Sequence, residues 1–180
     1  MVWSIISTLI TVNWNRRWII RECGKINLNC NQCYGHAFKT IVKNLQPIYT
    51  KYFDFLKKIK KLQLCGLDNK ALQDMKDVIE ELFDEISSIK FVKYTSASKA
   101  LYVIAPIFFV LWDLKIRRKY GIKKNNGKGY FEFLTKVKDI LENIVEEYRH
   151  DKGFNDFEKA KRDLEERLGI PLTKAIDEYN

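Results

Sequence analysis

Three of the four cysteines and one of the two histidines lie close enough in sequence to share a metal ion. Cys30-Asn-Gln-Cys33 has a chelating spacing, with Cys23 before it and His36 after it. Three thiolates and an imidazole are the ligand inventory of a structural zinc site. The same thiolates with distant Cys65 would instead suit an iron–sulfur cluster. The plainer alternative is cysteines that hold no metal, either free or oxidised to disulfides. Spacing leaves these readings open.

A second group lies between Thr95 and Gly121. Lys99 opens an apolar helix, Pro106 ends it, and Asp113 then precedes a basic helix. A purely structural use of this pattern puts Phe109 and Trp112 in the core. Asp113 then caps the following helix, and Lys99 runs its stem along apolar surface to reach water. Two other patterns fall away. Ser96-Ala97-Ser98-Lys99 has the Ser-x-x-Lys form of serine acyltransferases without their companion motifs. The glycine-rich turn from Gly121 to Lys128 is one residue too long for a phosphate-binding P-loop. It follows a helix rather than a strand, and Gly129 stands where that loop needs Ser or Thr.

Charge singles out the same region. The chain carries a formal +9, yet residues from Phe131 onward sum to −4, so residues 1–130 hold +13. Lys115, Arg117, Arg118, Lys119, Lys123, Lys124 and Lys128 form a run of seven cations with no acid among them. Cations at a helix C-terminus are ordinary. Seven exceed what capping needs and suit a surface that contacts phosphate, which makes nucleic acid, DNA above all, the expected partner.

The Thr95–Gly121 stretch, 27 residues of the 180, resembles the core of the helix-hairpin-helix DNA glycosylase superfamily. In that family a lysine after a small-residue hairpin is followed by an apolar helix. An aspartate comes next, with an aliphatic residue three positions on and an arginine five on. Lys99, Asp113, Ile116 and Arg118 match these positions, and Tyr94-Thr95-Ser96-Ala97-Ser98 stands where the family has its hairpin glycines. The resemblance implies that Lys99 attacks the sugar carbon bearing a damaged base and forms a Schiff base. It gives Asp113 the task of stabilising charge that develops on the sugar. Such a lysine must be deprotonated, which burial between apolar helices favours, and the base must be flipped from the duplex. Cys23, Cys30 and Cys33 also have the first three spacings of the iron–sulfur loop of some members.

The elements that must position these residues are helical. Hydrophobic residues make up 46% of the chain, with only 8 glycines and 3 prolines, which suits an all-α core and disfavours an all-β one. Leu72, Met75, Val78, Ile79, Leu82, Phe83 and Ile86 form one stripe at helical period, with Asp68 as N-cap and Gly66 in the preceding turn. Phe131, Leu134, Val137, Ile140, Leu141, Ile144 and Val145 form another. A charged helix through Phe157, Leu164 and Leu168 stops at Gly169, and Pro171 starts a last one reaching about Tyr179. Earlier helices over 34–45 and 48–64 are separated at Pro47. Short loops imply a compact multi-helix bundle, read as one domain over 1–180 with a cysteine-bearing N-terminal lobe over 1–47 as a further division.

The apolar start, Met1 to Val12, is too short to cross a bilayer, which takes about 20 residues. It also lacks the basic region and cleavage site of a secretory signal, so the expected location is cytoplasmic. The functional expectation is a DNA-binding protein that excises damaged bases through Lys99. The alternative is a non-enzymatic basic helical module binding nucleic acid or a protein partner, of viral or mobile-element origin.

Overall fold

Period and punctuation between them dictate where the chain coils. The computed structural model describes residues 30–179, with side chains from Thr40 onward, and every regular element among them is a helix. In chain order these are α1 (Cys30–Lys51), α2 (Phe53–Ile59), α3 (Asn69–Asp74), α4 (Lys76–Ser88), α5 (Tyr94–Ile104), α6 (Leu114–Lys119), α7 (Gly127–Lys152), α8 (Phe157–Leu168) and α9 (Leu172–Tyr179). No helix among the described residues is long and apolar enough to cross a membrane. The segment Met1–Val12 and most of the 1–47 lobe lie outside the described residues.

The long helix α7 organises the bundle. At 26 residues it spans roughly 39 Å. Its buried stripe, including Phe133, Leu134, Val137, Leu141 and Val145, meets α4 on one side and α8 on another. Helix α4 returns Ile79, Leu82, Phe83 and Ile86, all at most 2% exposed, and also packs on α5. Burying a side chain of this size contributes about 1.5–3 kcal/mol. Gly153 takes a left-handed φ of 70° at the end of α7, and the chain turns back into α8.

Several boundaries differ from the sequence reading: the helix read over 34–45 begins at Cys30, and the one read over 48–64 stops at Ile59. Pro47 lies inside α1 rather than between two helices. It is exposed, so water can take the carbonyl that its missing N–H leaves free. The break comes instead at Tyr52, 6% exposed, whose hydroxyl donates to Glu85 of α4 at 3.0 Å. The stripe from Leu72 to Ile86 is divided at Met75, where α3 ends and α4 begins. Asp68 caps as expected: its carboxylate accepts from Ala71 N at 2.9 Å.

Between α5 and α6 the chain crosses the core without helical structure. Phe108, Phe109, Val110 and Trp112 are at most 1% exposed. Buried backbone polar groups outside a helix need partners, and here other segments supply them. Leu64 N donates to the Ile107 carbonyl at 3.0 Å, Thr173 Oγ1 to the Pro106 carbonyl at 2.7 Å, and Tyr130 Oη to the Val110 carbonyl at 2.9 Å. This strap carries the chain to Asp113.

Candidate functional site

Lys99 is the sixth residue of α5, and Tyr94–Ser98 form the first turns of that helix rather than a hairpin loop. The serine before it does the positioning. Ser98 is fully buried, and its Oγ lies 3.0 Å from the carbonyl of Trp112 and accepts the Trp112 amide at 3.1 Å. The turn that carries Lys99 is thereby fastened to the residue preceding Asp113. Lys99 is half-buried. No ion pair within 4.0 Å joins it to Asp113 among the described residues.

Asp113 opens α6 as its N-cap, with Oδ1 accepting from Ile116 N at 2.9 Å. That is the capping role read from sequence, and it occupies one carboxylate oxygen. Phe109 and Trp112 are core residues, as that reading required. The Trp112 ring stands 5.5 Å from Phe83, 5.6 Å from Tyr130 and 6.3 Å from Phe133, centroid to centroid. Its indole Nε1 is buried without a hydrogen-bond partner, as is Nε of Arg117.

The basic run occupies α6 and the turn into α7. Lys115, Arg118, Lys119, Lys123, Lys124 and Lys128 are exposed, and Arg117 is half-buried. None of the seven has an acidic side chain within 4.0 Å among the described residues. Some cations elsewhere are paired, as with Lys51–Glu85, Lys136–Glu132 and Arg167–Asp163. Others, Lys57, Lys58, Lys60 and Lys61 among them, have no acidic partner among the described residues. The glycines of this turn serve close packing. A Cβ on Gly127 would stand 2.1 Å from the Glu80 carbonyl oxygen, and one on Gly129 2.1 Å from that of Lys124. The N-terminus of α7 is already filled: Asn126 caps Gly129 N at 3.2 Å, and Asp84 accepts from Gly127 N at 2.6 Å.

Cys23 lies outside the described residues, as do the side chains of Cys30, Cys33 and His36. Among the described residues, no group of three or more His, Cys, Asp or Glu is placed to hold a metal. Cys65 is a buried free thiol, and burial pushes its pKa up to about 12.

Sequence reasoning missed a buried polar cluster around Cys65. Lys138 is 2% exposed, and its Nζ donates to Asn69 Oδ1 and Glu142 Oε2, both at 2.7 Å. The other oxygen of Glu142 accepts Gly66 N at 3.1 Å. Lys161, 4% exposed, pairs with Glu158 at 2.6 Å and reaches the Cys65 carbonyl at 3.4 Å. The two lysines staple the turn before α3 onto α7 and α8. A signal was present: Lys138 falls on the apolar stripe of α7 with Glu142 four residues on, the spacing of a helical ion pair.

No protein-family model matches this chain, no curated protein is detectably similar to it, and no solved structure matches its fold.

Proposed function

We propose that this protein binds DNA through the face built by α6 and the turn into α7. The observation that carries this reading is the run of seven cations, six of them exposed, without an acidic partner among the described residues. A cation that a neighbouring carboxylate neutralises gains little from phosphate. Uncompensated ones gain by releasing the counterions condensed on DNA. Affinity for a duplex should therefore fall with salt, by a log–log slope near 0.9 per phosphate contacted. Replacing Arg117, Arg118, Lys123 and Lys124 with Ala should flatten that slope. Salt-independent binding, or none at micromolar protein, would leave a protein partner as the remaining reading.

One observation favours a catalytic extension. The Ser98–Trp112 clasp joins the turn bearing Lys99 to the residue before Asp113, and Asp113 begins the basic helix itself. A DNA glycosylase with lyase activity would use Lys99 as nucleophile and Asp113 as the charge that stabilises the sugar. Borohydride reduces the imine of such an enzyme to a permanent crosslink with an abasic duplex. The crosslink should vanish in Lys99→Gln while DNA binding persists. Asp113→Asn isolates the charge, because Asn caps a helix about as well as Asp. Equal crosslinking by wild type and Lys99→Gln removes the lysine from the reaction. The protein is then a binding module.

A further inference from the structure

The faces of α7, α8 and α9 leave an apolar groove of about 630 Å³, lined by Ile140 and Ile144 of α7, Leu164 and Leu168 of α8, and Ile176 and Tyr179 of α9. Five large apolar side chains are exposed among the described residues. Three of them, Ile144 at 40%, Leu168 at 46% and Tyr179 at 79%, line this groove. Scattered exposed apolar residues are ordinary, whereas their concentration along one concavity marks a recognition surface. Lys119 also lines it. Its amine sits 4.2 Å from the centre of the Tyr179 ring and has no carboxylate within 4.0 Å among the described residues.

We propose that this groove receives an acidic amphipathic helix from a partner protein. Its apolar stripe would lie along Ile144, Leu168 and Tyr179, and a carboxylate on it would meet Lys119. Shape and charge select this occupant. A slender acyl chain would fill the floor yet leave the outer faces of Leu168 and Tyr179 in water. A helix, about 10–12 Å across with its side chains, covers floor and rims together. Lys119, which lines the groove without a carboxylate within 4.0 Å among the described residues, favours a partner that brings one. The inference does not rest on DNA binding, since only Lys119 belongs to both surfaces.

The test uses the full chain and three labelled synthetic peptides of about four helical turns. One carries leucines at helical spacing with glutamates elsewhere, the second replaces the glutamates with lysines, and the third replaces the leucines with serines. Fluorescence anisotropy should show micromolar binding of the first alone. Its Kd should rise roughly tenfold or more in Ile144→Asp and in Leu168→Asp. It should rise several-fold in Lys119→Glu, and the DNA salt slope of Ile144→Asp should match wild type. Circular dichroism checks each variant, and Leu168→Asp, at the more exposed position, decides if Ile144→Asp does not fold. Equal binding of the lysine peptide overturns the charge assignment. Binding of the acidic peptide that neither groove variant weakens places it on the basic run and overturns the groove. No binding at roughly 100 µM protein overturns the proposal outright. If sedimentation then shows a dimer that Leu168→Asp dissolves, the occupant is a second copy.

Discussion

The hydroxyl of Ser98 meets both backbone polar groups of Trp112: Oγ accepts the Trp112 amide at 3.1 Å and lies 3.0 Å from the Trp112 carbonyl. The carbonyl of Thr95, also at 3.0 Å, competes for the same single proton. One side chain therefore does what a ladder of backbone bonds does elsewhere. It satisfies the last residue of a strap that has neither helix nor sheet of its own.

Removing it should be costly in proportion. Ser98→Ala leaves the buried Trp112 N–H with no acceptor, and an orphaned donor costs about 1–3 kcal/mol. The free energy of unfolding should fall by that amount, read as a lower urea midpoint at an unchanged m-value. A loss below about 0.5 kcal/mol would mean that another group takes over the amide. Because Lys99 and Asp113 flank the clasp, the same variant should also weaken any crosslinking to abasic DNA.

Gly127 makes a second, purely steric prediction. A Cβ there would meet the Glu80 carbonyl oxygen at 2.1 Å, and backbone cannot rotate aside as a side chain can. Gly127→Ala must push α7 off α4, the central pair of the bundle, at a cost of about 3 kcal/mol or more. Gly121→Ala is the control. Nothing lies within 4 Å of that Cβ, so only its φ of 67° opposes the change, by about 1–2 kcal/mol. A thermal melt in which Gly121→Ala is the more damaged variant would refute the packing account.

The helices were legible wherever a long apolar stripe met an explicit stop. Leu164 and Leu168 with Gly169, or Asp68 ahead of Leu72, specify their helices through period and cap alone. Pro47 misled because its cost depends on which face of α1 it occupies, and exposure is a tertiary property. The strap from Ala105 to Trp112 was half legible. Its apolar run announced burial, but the partners of its backbone, Leu64, Tyr130 and Thr173, lie far away in sequence. Asp113 as a cap could be read locally, since a cap needs only the next three residues. The groove could not, because Ile144, Leu168 and Tyr179 each look like core residues until the helices are placed.

Lys138 and Glu142 yield a pair of opposed predictions. Glu142→Ala strands an ammonium that is 2% exposed and frees Gly66 N as well, and breaking a buried pair from one side costs about 3–5 kcal/mol. Lys138→Met removes the charge while keeping a stem of similar volume. The carboxylate left behind, 28% exposed, retains Gly66 N and can reach water. Chemical denaturation should find Lys138→Met much nearer wild type than Glu142→Ala. If the order reverses, the lysine stem and its bond to Asn69 matter more than charge pairing.

The final prediction concerns alkaline pH. Burial raises the Cys65 thiol from 9.0 to about 12, with Lys161 opposing the shift and Glu142, Glu165 and Glu158 adding to it. Burial also raises the Tyr130 phenol, which donates to the Val110 carbonyl inside the aromatic core. Both groups hold their protons more tightly when folded, so the unfolded chain releases them first. Their contribution is complete below the unfolded pKa and is lost as pH rises through the interval up to the folded one. Folding stability should therefore be flat near neutrality and begin to fall above pH 9, where the unfolded thiol ionises. The slope contributed by one such group is at most about 1.4 kcal/mol per pH unit. Tyr130 should steepen the fall above its ordinary value of 10.0. In Cys65→Ala the onset should move toward that value, whatever the loss of the buried sulfur does to stability at pH 7. A parallel readout needs no denaturation curve. Iodoacetamide at pH 8.5, followed by peptide-resolved mass spectrometry, should leave Cys65 unmodified in the folded chain and alkylate it in urea, because only the thiolate attacks. Rapid labelling of Cys65 in the folded protein would show that the turn around Gly66 opens often, and that the Lys138 and Lys161 staples do not hold it.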